Sequence, residues 1–239
     1  MNTESQIVFL LDVDNTLLDN DQIVIDLRWH LEHAFGRACA DDYWHIFEDL
    51  RAELGYADYL GALQRFRVRA PADPVHDPQL LQMSMFLIDY PFAQRLYPEA
   101  LRVIARLDRL GLTVILSDGD VVFQPRKVQR SGLWRAVEGR VLIYIHKELN
   151  LAAVRQRYPA RHYVMVDDKL RILAAMKEVL GDMLTTVFVR QGHYATDLHS
   201  ITPYPAADIT LERIGDLLDV EPFMLAGPNR TGDKLKEKS

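Results

Sequence analysis

Four short segments of the 239-residue chain carry residue types that do chemistry, and each follows an apolar run. The first is Asp12-Val-Asp14-Asn15-Thr16, after Ile7-Val-Phe-Leu-Leu11. Residues two apart on extended chain face the same side, so Asp12 and Asp14 share one space. Two carboxylates held close repel unless a cation or a proton relieves them. That points to a metal site or an acid/base pair. Asp, Asn and Thr also make turns and helix caps, and an Asp-x-Asp alone would be read that way. A calcium loop fails on spacing: its sixth position would be Leu17 instead of Gly, its twelfth Ile23 instead of Glu. The other three segments are Ser117-Asp118-Gly119, His146-Lys147 and Asp167-Asp168-Lys169. Taken singly, Ser117 reads as a capping hydroxyl and Lys147 as a solvated lysine.

The elements that must position these residues are legible in the apolar runs. Ile7–Leu11, Thr113–Leu116, Val141–Ile145, His162–Val166 and Thr185–Val189 read as strands buried on both faces of a parallel sheet. Helical patterns lie between them: Leu101, Ile104 and Leu110; Leu149, Ala152 and Ala153; Leu170, Leu173 and Ala174. Residues 209–218 suggest a last strand or helix. This alternation predicts a doubly wound, mainly parallel α/β sheet. Ligands of such sheets bind beyond the carboxyl ends of the strands, where all four segments fall. Residues 21–95 break the alternation. Ile23, Leu27, Leu31 and Phe35 lie at helical spacing, as do Ile46, Phe47, Leu50 and Leu54, then Tyr59, Leu63 and Phe66, then Leu80, Met83 and Leu87. A Pro-rich loop over 70–78 interrupts them. The reading is an α/β core over 1–20 and 96–226, a helical cap over 21–95, and a polar tail over 227–239 expected to be disordered.

Together the four segments resemble the motifs of the haloacid dehalogenase-like hydrolase superfamily, across about residues 6–20 and 96–220. Asp12-Val-Asp14-Asn-Thr16-Leu-Leu looks like its first motif and Ser117 its second, with Gln124, Lys127 and Gly132-Leu133 similar to the helix that follows. Lys147 looks like the third motif, and Asp167-Asp168 the paired-acid form of the fourth. Asp118 stands where Asn is commoner, and the further acid often found after the fourth motif is missing from Leu170-Arg-Ile-Leu173. The helical insert falls at the family's usual cap position, over a Rossmann-like core.

The resemblance implies phosphoryl transfer through a covalent aspartyl-phosphate, with Mg2+. Asp12 would be the nucleophile and Asp14 the general acid and base. Ser117, Asp118, Gly119 and Lys147 would hold the phosphoryl group, with Lys147 also serving catalysis. Asp12, Asp14 through its main-chain carbonyl, Asp168 and its helper Asp167 would hold the ion. Carbon–halogen-cleaving relatives lack an acid at the position of Asp14, because halide leaves without a proton. This favours a phosphatase acting on a small phosphorylated metabolite. A phosphomutase, a dehalogenase and a catalytically silent scaffold that binds a phosphorylated ligand are the alternatives.

Composition is consistent with this. The formal charge is −6, with 28 basic and 34 acidic residues, which leaves no footprint for nucleic acid. The single cysteine, Cys39, excludes an internal disulfide and a multi-thiolate zinc site. Asp12 cuts the first apolar run too early for a membrane segment, and a cytoplasmic protein is expected. Gly-x-Gly-x-x-Gly, Walker-type and Gly-x-Ser-x-Gly motifs are absent. Trp29, Trp44 and Trp134 are expected in cores. Arg65, Arg67 and Arg69 are expected on a solvated face, and His193 receives no role. Oligomeric state is not readable.

Overall fold

Each strand of the sheet hydrogen-bonds only to parallel neighbours, in the order β3-β2-β1-β4-β5-β6. The computed structural model describes residues 5–69 and 76–227. Among these, the strands are β1 (Ser5–Leu11), β2 (Leu112–Asp118), β3 (Val141–Tyr144), β4 (Ala160–Asp167), β5 (Leu184–Val189) and β6 (Ile209–Leu211). The architecture is the α/β Rossmann-like one that the alternation predicts. Chain order reverses beside β1, which places a crevice at the carboxyl ends of β1, β2 and β4.

The unbroken apolar run of β1 follows from its central place. Ile7, Phe9 and Leu11 face one hydrophobic layer, and Val8 and Leu10 the other. Both layers are built by the helices that link the strands. These include α5 (Ala100–Leu107), α6 (Phe123–Arg130), α7 (Leu133–Ala136), α8 (Leu151–Arg157), α9 (Leu170–Leu180) and α10 (Gly192–Thr196), numbered after the four helices described below. Val103, Ile104 and Leu107 of α5 pack under one face; Ile172, Leu173 and Met176 of α9 pack under the other.

Several local expectations are corrected. The run at Val141–Ile145 is an edge strand paired only to β2; it ends at Tyr144, is half-buried, and leaves Ile145 exposed. Leu101 is exposed because it lies about two steps of 100° from the Val103 face. Leu149 is exposed in the turn before α8. Residues 209–218 form both elements, β6 and then a 3-10 turn at Ile214–Leu218. Trp44 is buried, but Trp29 and Trp134 are exposed; Trp29 stacks on His33 at 3.8 Å between ring centres instead of entering a core.

Four helices separate β1 from β2: α1 (Asn20–Phe35), α2 (Arg37–Leu54), α3 (Tyr59–Arg69) and α4 (His76–Asp89). Of the loop expected over 70–78, residues 76–78 are helical, because α4 begins at His76. Pro78 falls in its first turn, where a missing N–H breaks no helix bond. Residues 70–75, and the tail beyond Gly227, lie outside the described residues. The two crossings between these helices and the sheet run side by side: Asp19 N–H donates to Arg95 O at 2.7 Å, and Tyr97 N–H to Leu17 O at 3.0 Å. No helix of the described residues is long and apolar enough to cross a membrane.

Candidate active site

Strand register brings the acids together. Leu11 lies opposite Val166, and the N–H of Asp12 donates to Val166 O at 3.0 Å. The next residues on each strand, Asp12 and Asp167, are therefore neighbours. Oxygens of Asp12, Asp167 and Asp168 lie within 4.8 Å of one another, all buried. Lys147, on the turn after β3, reaches into this cluster. Its Nζ stands 2.5 Å from Asp12 Oδ1 and 2.7 Å from Asp167 Oδ2, and donates to Leu116 O at 3.3 Å. Burial alone would favour the neutral amine. The carboxylates of Asp12, Asp167 and Asp118 outweigh it and hold the ammonium well above its ordinary pKa.

The carboxylates bear the cost of this burial. Asp167 is pushed up to about 6 by desolvation, against the pull of Lys147. Asp168 is likewise raised well above the ordinary carboxylate range, mainly by desolvation. Asp167 Oδ1 accepts from Lys169 N–H at 2.9 Å, and its Oδ2 forms an ion pair with Lys147 at 2.7 Å but has no hydrogen-bond partner. Asp168 is 0 % exposed, and neither of its oxygens has a hydrogen-bond partner. A buried carboxylate without a donor is costly. A hard divalent cation among these oxygens would supply what no protein donor does, so the residues fit Mg2+.

The carboxylate of Asp14 does not join that cluster. Its Oδ1 accepts from Lys127 Nζ at 2.7 Å and its Oδ2 from Gln124 Nε2 at 3.3 Å. Gln124 Nε2 also donates to Ser117 Oγ at 3.0 Å, so one amide ties Ser117 to Asp14. Asp118 Oδ1 accepts the N–H of Lys147 at 2.8 Å and so anchors the turn that carries the lysine. Gly119 is the close-approach position: a Cβ there would lie 2.7 Å from Gln124 Cβ. Thr16 Oγ1 donates to Asp12 Oδ2 at 3.2 Å. Asn15, at φ +61°, accepts the N–H groups of Asn20 and Asp21 and starts α1. One turn thus places the Asp12 carboxylate and launches the first inserted helix.

Above this floor lies a cleft of about 870 Å3. Asp14, Asp118, Gly119 and Lys169 line it from the sheet side; Arg28, Trp44, Phe47, Arg51 and Tyr59 line it from α1–α3. Asp12, Lys147, Asp167 and Asp168 lie beneath, buried. The sequence reading missed Lys169, Asn20, Asp21 and His193 as site residues, and gave Lys127 and Gln124 only as a family pattern. His193 Nδ1 lies 2.6 Å from Asp21 Oδ1 and its N–H donates to Asp21 Oδ2 at 2.8 Å, which ties α10 to α1. The density of polar residues over 190–194, after a strand end, was the available signal.

The model of the haloacid dehalogenase-like hydrolase family matches residues 8–179. Among solved structures, a haloacid dehalogenase-like hydrolase from Burkholderia xenovorans LB400 is 65% identical. The match covers 90% of this chain and 99% of that one, with a TM-score of 0.84. The HAD-hydrolase YfnB from Bacillus subtilis, solved bound to magnesium, shares the fold at 17% identity and a TM-score of 0.61, covering 90% and 97% of the two chains. The L-2-haloacid dehalogenase from Xanthobacter autotrophicus does so at 19% identity and a TM-score of 0.57, covering 92% and 98%. No curated protein matches the chain.

Proposed function

The chain belongs to the haloacid dehalogenase-like hydrolase family, and on that premise we propose that it is a Mg2+-dependent phosphohydrolase that takes a small phosphorylated metabolite into the cleft. The observation that carries this reading is Asp168: a buried carboxylate with both oxygens unpaired, beside Asp12 and Asp167. Phosphoryl transfer requires positive charge where an aspartate meets a phosphate dianion.

Asp12 and Asp168 would hold Mg2+, which would supply the positive charge that lets a carboxylate approach the phosphoryl oxygens. The chain's own residues do the rest. Lys147 and Thr16 fix the two oxygens of Asp12. An Asp12 oxygen forms a bond to phosphorus while the bond from phosphorus to the leaving oxygen breaks. Asp14 gives that oxygen a proton, then takes one from the water that attacks phosphorus and frees Asp12. Both Asp14 oxygens accept hydrogen bonds in the structure, so proton donation requires its carboxyl to turn away from Lys127. Ser117 is placed by Gln124 to meet a phosphoryl oxygen.

The test is hydrolysis of a generic aryl phosphate by the purified protein. Activity is expected only with Mg2+ and is lost in Asp12→Asn. Metal-independent release of halide from a 2-haloacid, with no phosphatase activity, would assign the chain to the dehalogenase branch instead.

A further inference from the structure

We infer that Lys169 binds the transferring phosphoryl group, a role that rests on the phosphohydrolase reading. Lys147 is buried beneath the cleft, where its Nζ donates to Asp12 Oδ1 and Leu116 O and forms an ion pair with Asp167. Lys127 is turned to Asp14 and Asn20. Lys169 differs from both. Its main-chain N–H is pinned to Asp167 Oδ1, which sets its Cα at the rim of the buried acids. Its side chain is half-buried and lines the cleft. The ammonium stands 4.8 Å from the centre of the Tyr194 ring, which steadies it. Among the described residues it makes no side-chain hydrogen bond or ion pair. Burial opposes its charge, but the carboxylates of Asp168, Asp12 and Asp167 outweigh that and hold the ammonium above its ordinary pKa, which leaves a charged donor at the cleft for an anion.

The charge balance of the floor gives the same assignment. Asp12, Asp167 and Asp168 against Lys147 leave two negative charges, which a divalent ion cancels. Asp14 is paired with Lys127, and Lys169 offsets Asp118, so the floor carries no net negative charge to repel a phosphate dianion. Lys147 positions the nucleophile; Lys169 takes the substrate.

Calorimetric titration of inorganic phosphate into the full chain, with and without Mg2+, tests this in wild type, Lys169→Met and Lys169→Arg. Phosphate affinity is expected to fall about tenfold or more in Lys169→Met, as for loss of a charge-assisted bond, and to recover largely in Lys169→Arg. The KM for an aryl phosphate should rise in parallel. Lys169→Gln gives a second reading should the Met variant not fold. If wild type turns over phosphate esters while Lys169→Met keeps wild-type phosphate affinity and KM, the assignment of Lys169 is overturned and the phosphohydrolase reading stands. If phosphate binds in a Lys169-dependent way and no phosphate ester is hydrolysed, the anion site is upheld and the phosphohydrolase reading falls.

Discussion

Asp168 and Asp167 make the site unstable without a cation, and this gives the first prediction. Burial raises both carboxyls above the ordinary value of 3.8, Asp167 to about 6. A carboxyl raised in the folded state binds its proton more tightly there than in the unfolded chain. Metal-free protein therefore holds this stability at low pH and loses it as the pH rises past about 4 and through about 6. Denaturation in chelator should show lower stability near pH 8 than near pH 5 from these groups, with Mg2+ recovering more at the higher pH. Asp168→Asn should flatten the trend, and a rise in metal-free stability across that interval would contradict it. Lys127 gives the second prediction. Its side chain is 1% exposed and faces Asp14, which is 25% exposed. Asp14→Ala leaves the buried ammonium with Asn20 alone. The expected loss is about 2 kcal/mol in urea unfolding, below the 3–5 of a fully buried pair because Asp14 touches solvent. Asp14→Asn keeps an acceptor and should lose less. Wild-type stability in Asp14→Ala would show that the pair holds nothing.

The turn from β1 to α1 and the start of α10 meet at Gly192. It has φ +70°, and a Cβ there would lie 2.5 Å from Asn15. Gly192→Ala should lose about 2 kcal/mol in thermal or urea unfolding, since alanine resists this backbone and Asn15 must move. Asn15 accepts the first two N–H groups of α1, so turnover should fall with it; unchanged stability and turnover would show that the turn tolerates displacement. Much at this scale was legible in sequence. Buried parallel strands must be apolar on both faces, so β1, β2, β4 and β5 were written as continuous runs, and the four helices between β1 and β2 as spacing. The acids at the ends of β1 and β4 were legible because register needs only the strands. What was not legible depends on partners distant in sequence. Lys127 and Lys169 look like surface lysines until Asp14 and the buried acids are placed beside them. Leu101 and Leu149 look like core positions until the helix phase is fixed by Val103 and Leu151.

At the scale of the molecule, the inserted helices and the sheet enclose one cleft over a buried, charged floor. Binding that occurs only in the folded state stabilises all of it. Mg2+ at a hundred times its dissociation constant should raise stability by about 2.7 kcal/mol. This gain should vanish in Asp168→Asn and persist in Ser117→Ala, with differential scanning calorimetry as the readout. An equal gain in Asp168→Asn would place the ion elsewhere. The central claim is that a phosphoryl group passes through Asp12. The direct measurement is acid quench of Asp14→Asn during turnover of an aryl phosphate, followed by mass analysis of the peptide that holds Asp12. The account predicts a phosphorylated Asp12, accumulated because the water that frees it has lost its base. Substrate consumed with Asp12 unmodified, or a phosphoryl group found on any other residue, would contradict it.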